Sequence, residues 1–206
     1  MIKRWHPNAI VTITPTDHYV APAARYVETL ALARRIATKL RDRVVLLGVV
    51  PTEPDPELGY IVPGEPLVDD VAAVAKFVEK PDLYEAAELR RAGALWSTMV
   101  VCSSVDALWE LGRAAEPRLL DILDSLVPII GTPEESEAIE YIYRAYIPVS
   151  FSRDICERAP SRIATMPISG IEWSDFGKPD RIERVIAQRR GRSTLREPVP
   201  ESEMRA

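Results

Sequence analysis

The sequence predicts an α/β protein built on a mixed, mostly parallel sheet flanked by helices, and three segments carry this prediction. Residues 10–13 form a β-branched run that stops at Pro15, residues 21–41 place apolar side chains at helical spacing, and residues 44–50 are continuously apolar. A continuous apolar run of that length is typical of a strand buried on both faces of a sheet. Strand, helix and strand in this order predict one βαβ unit.

Further strands and helices alternate along the chain. The predicted strands cover residues 71–78, 95–102 and 162–166, and the predicted helices cover residues 82–91, 104–113, 117–126, 133–145 and 179–189. We expect a rigid Pro-rich loop at 51–61, a surface hairpin or loop at 62–71 around Pro63-Gly64, an irregular segment at 147–154 and a tight turn at 173–177. Residues 1–190 are predicted to form one domain. Residues 191–206 are charged and contain proline, which predicts a disordered tail.

Composition narrows the classes of function. The chain of 206 residues has a formal net charge of −5 and no long basic block, which argues against binding to a nucleic-acid backbone. It has no apolar run of membrane-spanning length, and its first residues do not resemble a signal peptide. Two distant cysteines do not form a disulfide framework or a metal knuckle. A reducing, cytoplasmic setting is therefore expected.

Charged residues follow two of the predicted strands where proline ends them. Asp17 comes just after the first strand, and Glu79-Lys80 stands directly before Pro81. Ligands bind beyond the carboxyl ends of strands in open α/β sheets, so these residues are candidates for a metal or substrate site. The structural alternatives are a turn-capping aspartate and a solvated charge pair. Gly59 could let the backbone approach a ligand closely, or be an ordinary turn glycine.

Five motifs in a fixed order resemble those of the sugar-phosphate nucleotidyltransferases, and of the mannose-1-phosphate guanylyltransferase branch in particular. They are Pro15-Thr16-Asp17-His18, Pro51-Thr52 with Gly59-Tyr60-Ile61, Phe77-Val78-Glu79-Lys80-Pro81, Leu95-Trp96, and Trp173-Ser174-Asp175-Phe176-Gly177. The resemblance implies a Rossmann-like nucleotide-diphospho-sugar transferase fold. It also implies a reaction between a sugar 1-phosphate, here mannose 1-phosphate, and a nucleoside triphosphate, here GTP, with release of pyrophosphate.

The resemblance also implies which residues form the catalytic and metal sites. Asp17 and Asp175 would hold one Mg²⁺, an ion that is usually bound by one or two carboxylates and substrate phosphates. Lys80 would contact the phosphate of the sugar as a point charge. These three residues are the predicted catalytic residues. An ionised sugar phosphate needs no general base, so His18 is expected to be a supporting residue that forms hydrogen bonds behind the catalytic ones.

The remaining implied residues bind the sugar. Glu79 would accept hydrogen bonds from sugar hydroxyls, and Gly59, Tyr60 and Ser97 would complete the sugar site. Ser97 departs from the family, which usually carries asparagine after the tryptophan. The side chain of Trp96 is expected to be core or pocket wall.

The larger departure is the lack of a Gly-rich triphosphate loop, since the chain has nine glycines and no Gly-x-Gly. We therefore expect an N-terminally truncated domain, the sugar and metal half of the enzyme, in which a partner chain or a missing segment would bind the nucleotide. A homo- or hetero-oligomer would satisfy this need. The alternative is a non-catalytic relative that binds a sugar phosphate or regulates a full-length enzyme.

Overall fold

The computed structural model describes residues 2–194, with side chains described through residue 190. Eight strands are β1 (Ile10–Ile13), β2 (His18–Ala21), β3 (Val44–Val49), β4 (Gly59–Val68), β5 (Val71–Glu79), β6 (Leu95–Ser104), β7 (Ile163–Ile168) and β8 (Glu172–Asp175). The α-helices in this range are α1 (Ile2–Trp5), α2 (Ala23–Lys39), α3 (Leu83–Arg91), α4 (Val105–Ala115), α5 (Pro117–Leu126), α6 (Glu135–Ala145) and α7 (Pro179–Thr194). None of these helices is both long and apolar enough to cross a membrane.

The predicted α/β fold with a mixed sheet is confirmed, but its strand pairing is mostly antiparallel. The strand order is β1-β6-β3-β7-β5-β4, and β4 also pairs with β6, so the sheet closes into a ring from β6 back to β6. Only the β3–β7 ladder is parallel in this part of the chain. The prediction failed here because the long strand β6 inserts between β1 and β3 and runs antiparallel to both. The two strands of the expected βαβ unit are parallel to each other without being neighbours.

Strand β3 is the centre of the core. All six of its residues are buried, and alternate residues enter two different apolar clusters. Val45 and Leu47 pack with buried residues of α2 and α3, whereas Val44 and Leu46 pack with those of α4. Because side chains alternate between the two faces of a strand, both faces must be apolar. The continuous apolar run therefore predicted the burial of this strand correctly.

The loop predicted at 51–61 ends earlier, because its last three residues begin β4 at Gly59. The β4–β5 hairpin turns at Asp69-Asp70, not at Pro63-Gly64 as the sequence suggested. Asp69 has a φ of 51°, a left-handed conformation that aspartate tolerates in turns. Pro63 instead lies within β4, where the register of the β4–β5 ladder shifts on either side of it. Such shifts are where a strand accommodates a proline, which cannot donate to the ladder.

Helix ends agree closely with the sequence signals in the middle of the chain. The Asp82 carboxylate accepts a hydrogen bond from the Glu85 N–H at 2.8 Å and caps α3, and the Ser104 hydroxyl caps α4 in the same way. Helix α6 begins at Glu135, two residues later than predicted. Within the segment expected to be irregular, residues Phe151–Cys156 form a π-helical turn.

A second, two-stranded sheet lies outside the main one. Strand β2 pairs antiparallel with β8, so the segment expected to be a tight turn at 173–177 is a strand through Asp175 followed by a turn. Helix α7 then continues through Thr194, which includes the first four residues of the predicted tail. The rest of that predicted tail, residues 195–206, lies outside the described residues.

Candidate functional site

A cleft of about 460 Å³ opens at the carboxyl ends of the two parallel strands β3 and β7. Val49 and Ile168 line it at these strand ends, and its other walls come from the loop at 50–58, from β8 and from α7. The carboxyl end of a sheet is the usual place for ligands in α/β proteins. The described lining residues include the predicted metal ligand Asp175, but not Asp17 or Lys80.

Three charged side chains form an ion triad in the wall of this cleft: Asp55, Arg181 and Asp175. Arg181 Nη2 donates to Asp55 Oδ2 at 2.7 Å, and Arg181 Nη1 donates to Asp175 Oδ1. Only 7% of the Arg181 surface is exposed. Burial lowers the pKa of Arg181, but the charges of Asp175 and Asp55 outweigh it and the pKa is raised. The guanidinium is therefore a permanent positive charge at this position.

Tyr60 positions one member of the triad instead of touching the cleft. Its side chain is fully buried, and its hydroxyl accepts a hydrogen bond from the Asp55 N–H at 2.9 Å. The direct sugar contact expected of Tyr60 is therefore corrected to a positioning role, because a side chain with no exposed surface cannot meet a substrate. Tyr60 holds the loop at 50–58 so that Asp55 faces Arg181.

The β2–β8 ladder brings the backbones of the two predicted metal ligands close together from opposite ends of the chain. His18 lies directly opposite Asp175, and the Phe176 N–H donates to the Asp17 carbonyl at 2.9 Å. The Asp17 side chain is exposed, whereas Asp175 is paired with Arg181.

Residues 2–190 contain no group of three or more acidic, histidine or cysteine side chains arranged to hold a metal ion. Two carboxylates together with substrate phosphates match what Mg²⁺ accepts. The carboxylates of Asp17 and Asp175 are therefore suitable ligands for Mg²⁺, and Asp175 is paired with Arg181.

His18 supports this ladder as a neutral imidazole. Trp173 Nε1–H donates to His18 Nδ1 at 3.2 Å, and the two rings meet edge to face with centroids 5.2 Å apart. An Nδ1 that accepts a hydrogen bond leaves the proton of the neutral ring on Nε2. Burial lowers the pKa of His18, and this outweighs the opposite effect of Asp17 and Asp175. His18 thus forms its hydrogen bond with Trp173, two residues before Asp175.

The predicted sugar-phosphate residues meet in a second place, which we call the Lys80 corner: Gly59, Glu79 and Lys80, with Glu57 and Lys178 against them. Gly59 lies opposite Glu79 in the β4–β5 ladder, and a Cβ at Gly59 would be 2.8 Å from Glu79 Oε2. Lys80 has a φ of 50°, a left-handed conformation that costs a non-glycine residue about 1–3 kcal/mol. Strained conformations of this kind cluster at functional sites.

Glu79 and Lys80 differ in their surroundings. Burial raises the pKa of Glu79, against the opposite effects of a hydrogen bond from Ser152 and the nearby charges of Lys80 and Arg153. Lys80 has half of its side chain exposed, and its Nζ lies 4.0 Å from Glu57 Oε2. Lys178 Nζ lies 3.6 Å from the other oxygen of the same Glu57 carboxylate. One exposed carboxylate thus links two lysines that are distant in sequence.

Trp96 is in the core and in the wall of the cleft, as expected, whereas the Ser97 side chain is buried away from the cleft. Ser97 is 5% exposed, and its hydroxyl donates to the sulfur of Met99 at 3.3 Å. Trp96 lines the cleft, and its buried Nε1 has no hydrogen-bond partner among the described residues. Neighbouring residues of a strand face opposite sides, so only one of the two can point to the cleft. The Ser97 side chain therefore does not face the cleft, which corrects the sugar contact expected of it. Trp96 is the residue of this pair that lines the cleft.

Only weak sequence signals pointed to the cleft residues that were not predicted. Asp55 lies in the Pro-rich loop, which was expected to be rigid without a named role. Arg181, Val185 and Gln188 line the cleft at the spacing of one helix face, i, i+4 and i+7. That spacing identifies the inner face of α7 only if Arg181 is accepted as a buried residue.

Comparison with known proteins identifies the family of this chain. The nucleotidyl transferase family model matches residues 1–190. The alginate biosynthesis protein AlgA of Pseudomonas putida is 38% identical over 82% of this chain and 35% of its own length. A mannose-1-phosphate guanylyltransferase of Sinorhizobium fredii is 29% identical over 87% of this chain and 35% of its own length.

The crystal structure of a Thermus thermophilus protein described as a mannose-1-phosphate geranyltransferase superposes with a TM-score of 0.76 at 29% identity. The alignment covers 91% of this chain and 52% of that one. The sheet, the cleft and these matches define a nucleotidyltransferase domain. The chain belongs to the nucleotidyl transferase family. It spans about a third of the length of the curated relatives named above.

Proposed function

We propose that this chain supplies the sugar-phosphate and metal half of an enzyme that joins mannose 1-phosphate to GTP and releases pyrophosphate. Relatives named mannose-1-phosphate guanylyltransferase support this choice of reaction and substrates. The observation that carries the proposal is the β2–β8 ladder, which brings the backbone of Asp17 to that of Phe176, next to Asp175 in the wall of the cleft. In the reaction, an oxygen of the sugar phosphate attacks the α-phosphorus of the triphosphate, and the bond to pyrophosphate breaks.

The Lys80 corner would bind the sugar phosphate. Lys80 offers an exposed ammonium as a point charge for the phosphate, and Glu79 offers a half-buried carboxylate to the sugar hydroxyls. Gly59 lets the backbone stand close to Glu79 because it has no Cβ. Tyr60 would act indirectly through Asp55, and Ser97 through the packing of β6. These residues orient the nucleophile, which is the protein's main task in phosphoryl transfer.

Asp17 and Asp175 would hold Mg²⁺. When bound, this ion would supply positive charge for the phosphates and for the departing pyrophosphate. The chain's own part is to fix the two carboxylates. The ladder hydrogen bond between Phe176 and Asp17 sets their backbone spacing. Gly177 leaves room for Asp175, because a Cβ at position 177 would lie 2.9 Å from Asp175 Oδ2.

The triphosphate would be held by residues outside the 206 present here, in a partner chain or in a further segment. The sequence contains no Gly-x-Gly loop, and backbone N–H groups of such a loop are what cradle phosphates. Strand β1 pairs with β6 on one side only among the described residues, and Ile13 at its end is 48% exposed. An open apolar edge of this kind favours pairing with another strand. An oligomer is therefore part of the proposal.

The setting we propose is cytoplasmic. Cys102 and Cys156 are both free and buried. Burial, reinforced by Glu79 and Glu157, raises the pKa of the Cys156 thiol to about 12, which makes it a poor nucleophile. Unpaired, unreactive cysteines are typical of proteins from reducing compartments.

Isothermal titration calorimetry with mannose 1-phosphate tests the sugar-phosphate site. We expect Lys80→Ala to weaken binding by about 1.5–3 kcal/mol, the cost of losing one hydrogen bond to a charged group. Lys76→Ala is the matched control, because Lys76 is an exposed lysine of β5, the strand that ends just before Lys80, and pairs with Glu85 instead. Equal affinity of the Lys80 and Lys76 variants would refute the site.

A coupled assay of pyrophosphate release tests whether the nucleotide site is formed by residues outside this chain. With Mg²⁺, mannose 1-phosphate and GTP, this chain alone should release no pyrophosphate above background, because the groups that position the triphosphate are not on it. Robust turnover by the isolated chain would mean that the nucleotide site is built from residues described here.

A further inference from the structure

The carboxylate of the predicted metal ligand Asp175 is already paired with a protein cation, Arg181. Oδ1 accepts a hydrogen bond from Arg181 Nη1, and Oδ2 faces the backbone turn at Gly177. The Asp175 side chain is 21% exposed, and its partner Arg181 on α7 is 7% exposed. A cation bound at this carboxylate would therefore lie next to the Arg181 guanidinium.

The charges do not allow the guanidinium and a divalent cation to share Asp175. Asp55 and Asp175 share the single positive charge of Arg181, so the triad carries a net charge of −1, and the guanidinium holds the position on Asp175 Oδ1 that a cation would need. Like charges a few ångströms apart repel strongly where water is largely excluded. A metal ion at Asp175 would therefore require Arg181 Nη1 to leave.

We propose that Arg181 is a built-in competitor for the divalent cation at Asp175, so that the cation binds only by displacing the guanidinium. This inference rests on the proposed function, which places the cation at Asp175. Loss of Arg181 should then strengthen binding of the cation, even though the substitution removes a residue of the same cleft.

The displaced arginine would remain in the cleft. Arg181 Nη2 is held by Asp55 at 2.7 Å, and Asp55 is in turn held by the buried Tyr60 hydroxyl. This tether leaves Nη1 free to donate to a new acceptor in the cleft. A phosphate group is the acceptor that suits a guanidinium best. Binding of the cation would thus turn an internal ion pair into a donor for an anionic phosphate ligand.

Titration of the whole chain with Mn²⁺ as the probe tests this competition. Free Mn²⁺ is measured by electron paramagnetic resonance for the wild type, Arg181→Gln, Asp175→Asn and the Arg181→Gln/Asp175→Asn double variant. We expect Arg181→Gln to bind Mn²⁺ tighter than the wild type by on the order of tenfold or more, since a desolvated ion pair no longer has to be broken. Asp175→Asn should abolish this gain.

The control and the second readout keep the test independent of folding defects. Arg184→Gln removes a neighbouring arginine of α7 that is 51% exposed and pairs with Glu53 and Asp180, and it should bind Mn²⁺ as the wild type does. Arg181→Lys retains one positive charge and should fall between the wild type and Arg181→Gln. In thermal unfolding, Mn²⁺ should raise the Tm of Arg181→Gln more than that of the wild type.

The outcomes separate the inference from the proposed function. Equal Mn²⁺ affinity in the wild type and Arg181→Gln, lost in Asp175→Asn, overturns the competition and keeps the metal site. A gain in Arg181→Gln that persists in the double variant also overturns it, because the cation then binds elsewhere. No Mn²⁺ binding in any variant removes both the competition and the metal site. Binding in Arg181→Gln with none in the wild type supports the competition in its strongest form.

Discussion

The ion triad and the Lys80 corner each join basic and acidic side chains from distant parts of the chain, yet they differ in burial and geometry. In the triad, Arg181 is 7% exposed and contacts Asp55 at 2.7 Å. In the corner, Lys80 is 50% exposed and its nearest carboxylate oxygen, on Glu57, is 4.0 Å away. The triad connects three elements of the fold, whereas the corner lies on the surface at the end of a hairpin strand.

This difference distinguishes charged groups that stabilise the fold from charged groups that are available to bind a ligand. A desolvated pair is costly to break because the partner left behind stays buried and unpaired. An exposed pair at 4 Å adds little to stability, since water and salt screen it. The triad should therefore control folding and access to Asp175, and the corner should control affinity for an anion.

The largest expected effect is on stability in the triad. Arg181→Gln should lower the free energy of unfolding by about 3 kcal/mol, because it leaves two partly buried carboxylates without a counter-charge. Urea unfolding at pH 7 without divalent ions measures the loss. Lys80→Ala in the corner should change stability by less than about 0.5 kcal/mol. Similar losses in the two variants would erase the distinction.

The next effect concerns the residue that positions the triad. Tyr60→Phe removes the acceptor of the Asp55 N–H and should cost about 1 kcal/mol in the free energy of unfolding. Tyr84→Phe is the control, since Tyr84 on α3 is 75% exposed. If Tyr60→Phe matches Tyr84→Phe in urea unfolding, the loop at 50–58 is held by other contacts.

A smaller effect concerns pH and the β2–β8 ladder. Because the pKa of His18 is lowered in the folded state, the unfolded chain binds the proton more readily. The His18 contribution is thus fully present above the unfolded pKa of about 6.5 and is lost as the pH falls below it. Protonation would also make Nδ1 a donor facing the Trp173 N–H.

Unfolding measured between pH 7.5 and 5.5 checks this sign. The wild type should become less stable across that window, and His18→Gln should reduce the slope. His6→Gln controls for the other histidine of the sequence. A steeper slope in His18→Gln would show that the sign is reversed.

The smallest effect on stability is expected in the corner. Glu57→Gln releases Lys80 and Lys178 from a shared carboxylate, both of them through exposed contacts. Stability should change by less than about 0.5 kcal/mol. Binding of mannose 1-phosphate should become tighter, because Glu57 no longer competes for the lysines. Weaker binding in Glu57→Gln would mean that Glu57 itself contacts the ligand.

Local sequence signals predicted the elements whose structure depends on local chemistry. The apolar run of β3 and the cap at Asp82 could be identified directly, because burial on both faces and capping each leave a pattern within a few residues. Strand β8 could not, since its polar and aromatic residues have turn character and become a strand only by pairing with β2 at the other end of the domain.

The triad was beyond sequence reasoning for a related reason. In α7 the apolar pattern points to Ile182 and Ile186 as the inner face, but these side chains are 37% and 45% exposed. Arg181 and Val185 are buried instead. A buried arginine is stable only because of its partners. Those partners, Asp55 and Asp175, are set by tertiary contacts that no local pattern records.

The most direct test of the central claim is a ¹H–¹⁵N NMR titration of the chain with mannose 1-phosphate. The claim is that the Lys80 corner binds the sugar phosphate beside the β2–β8 ladder, where the metal site is proposed. It predicts that amide signals of Gly59, Glu79 and Lys80 shift in a saturable manner and that Lys80→Ala abolishes these shifts. Saturable shifts confined to the surface between α5 and α6, or no shifts at any ligand concentration, would contradict it.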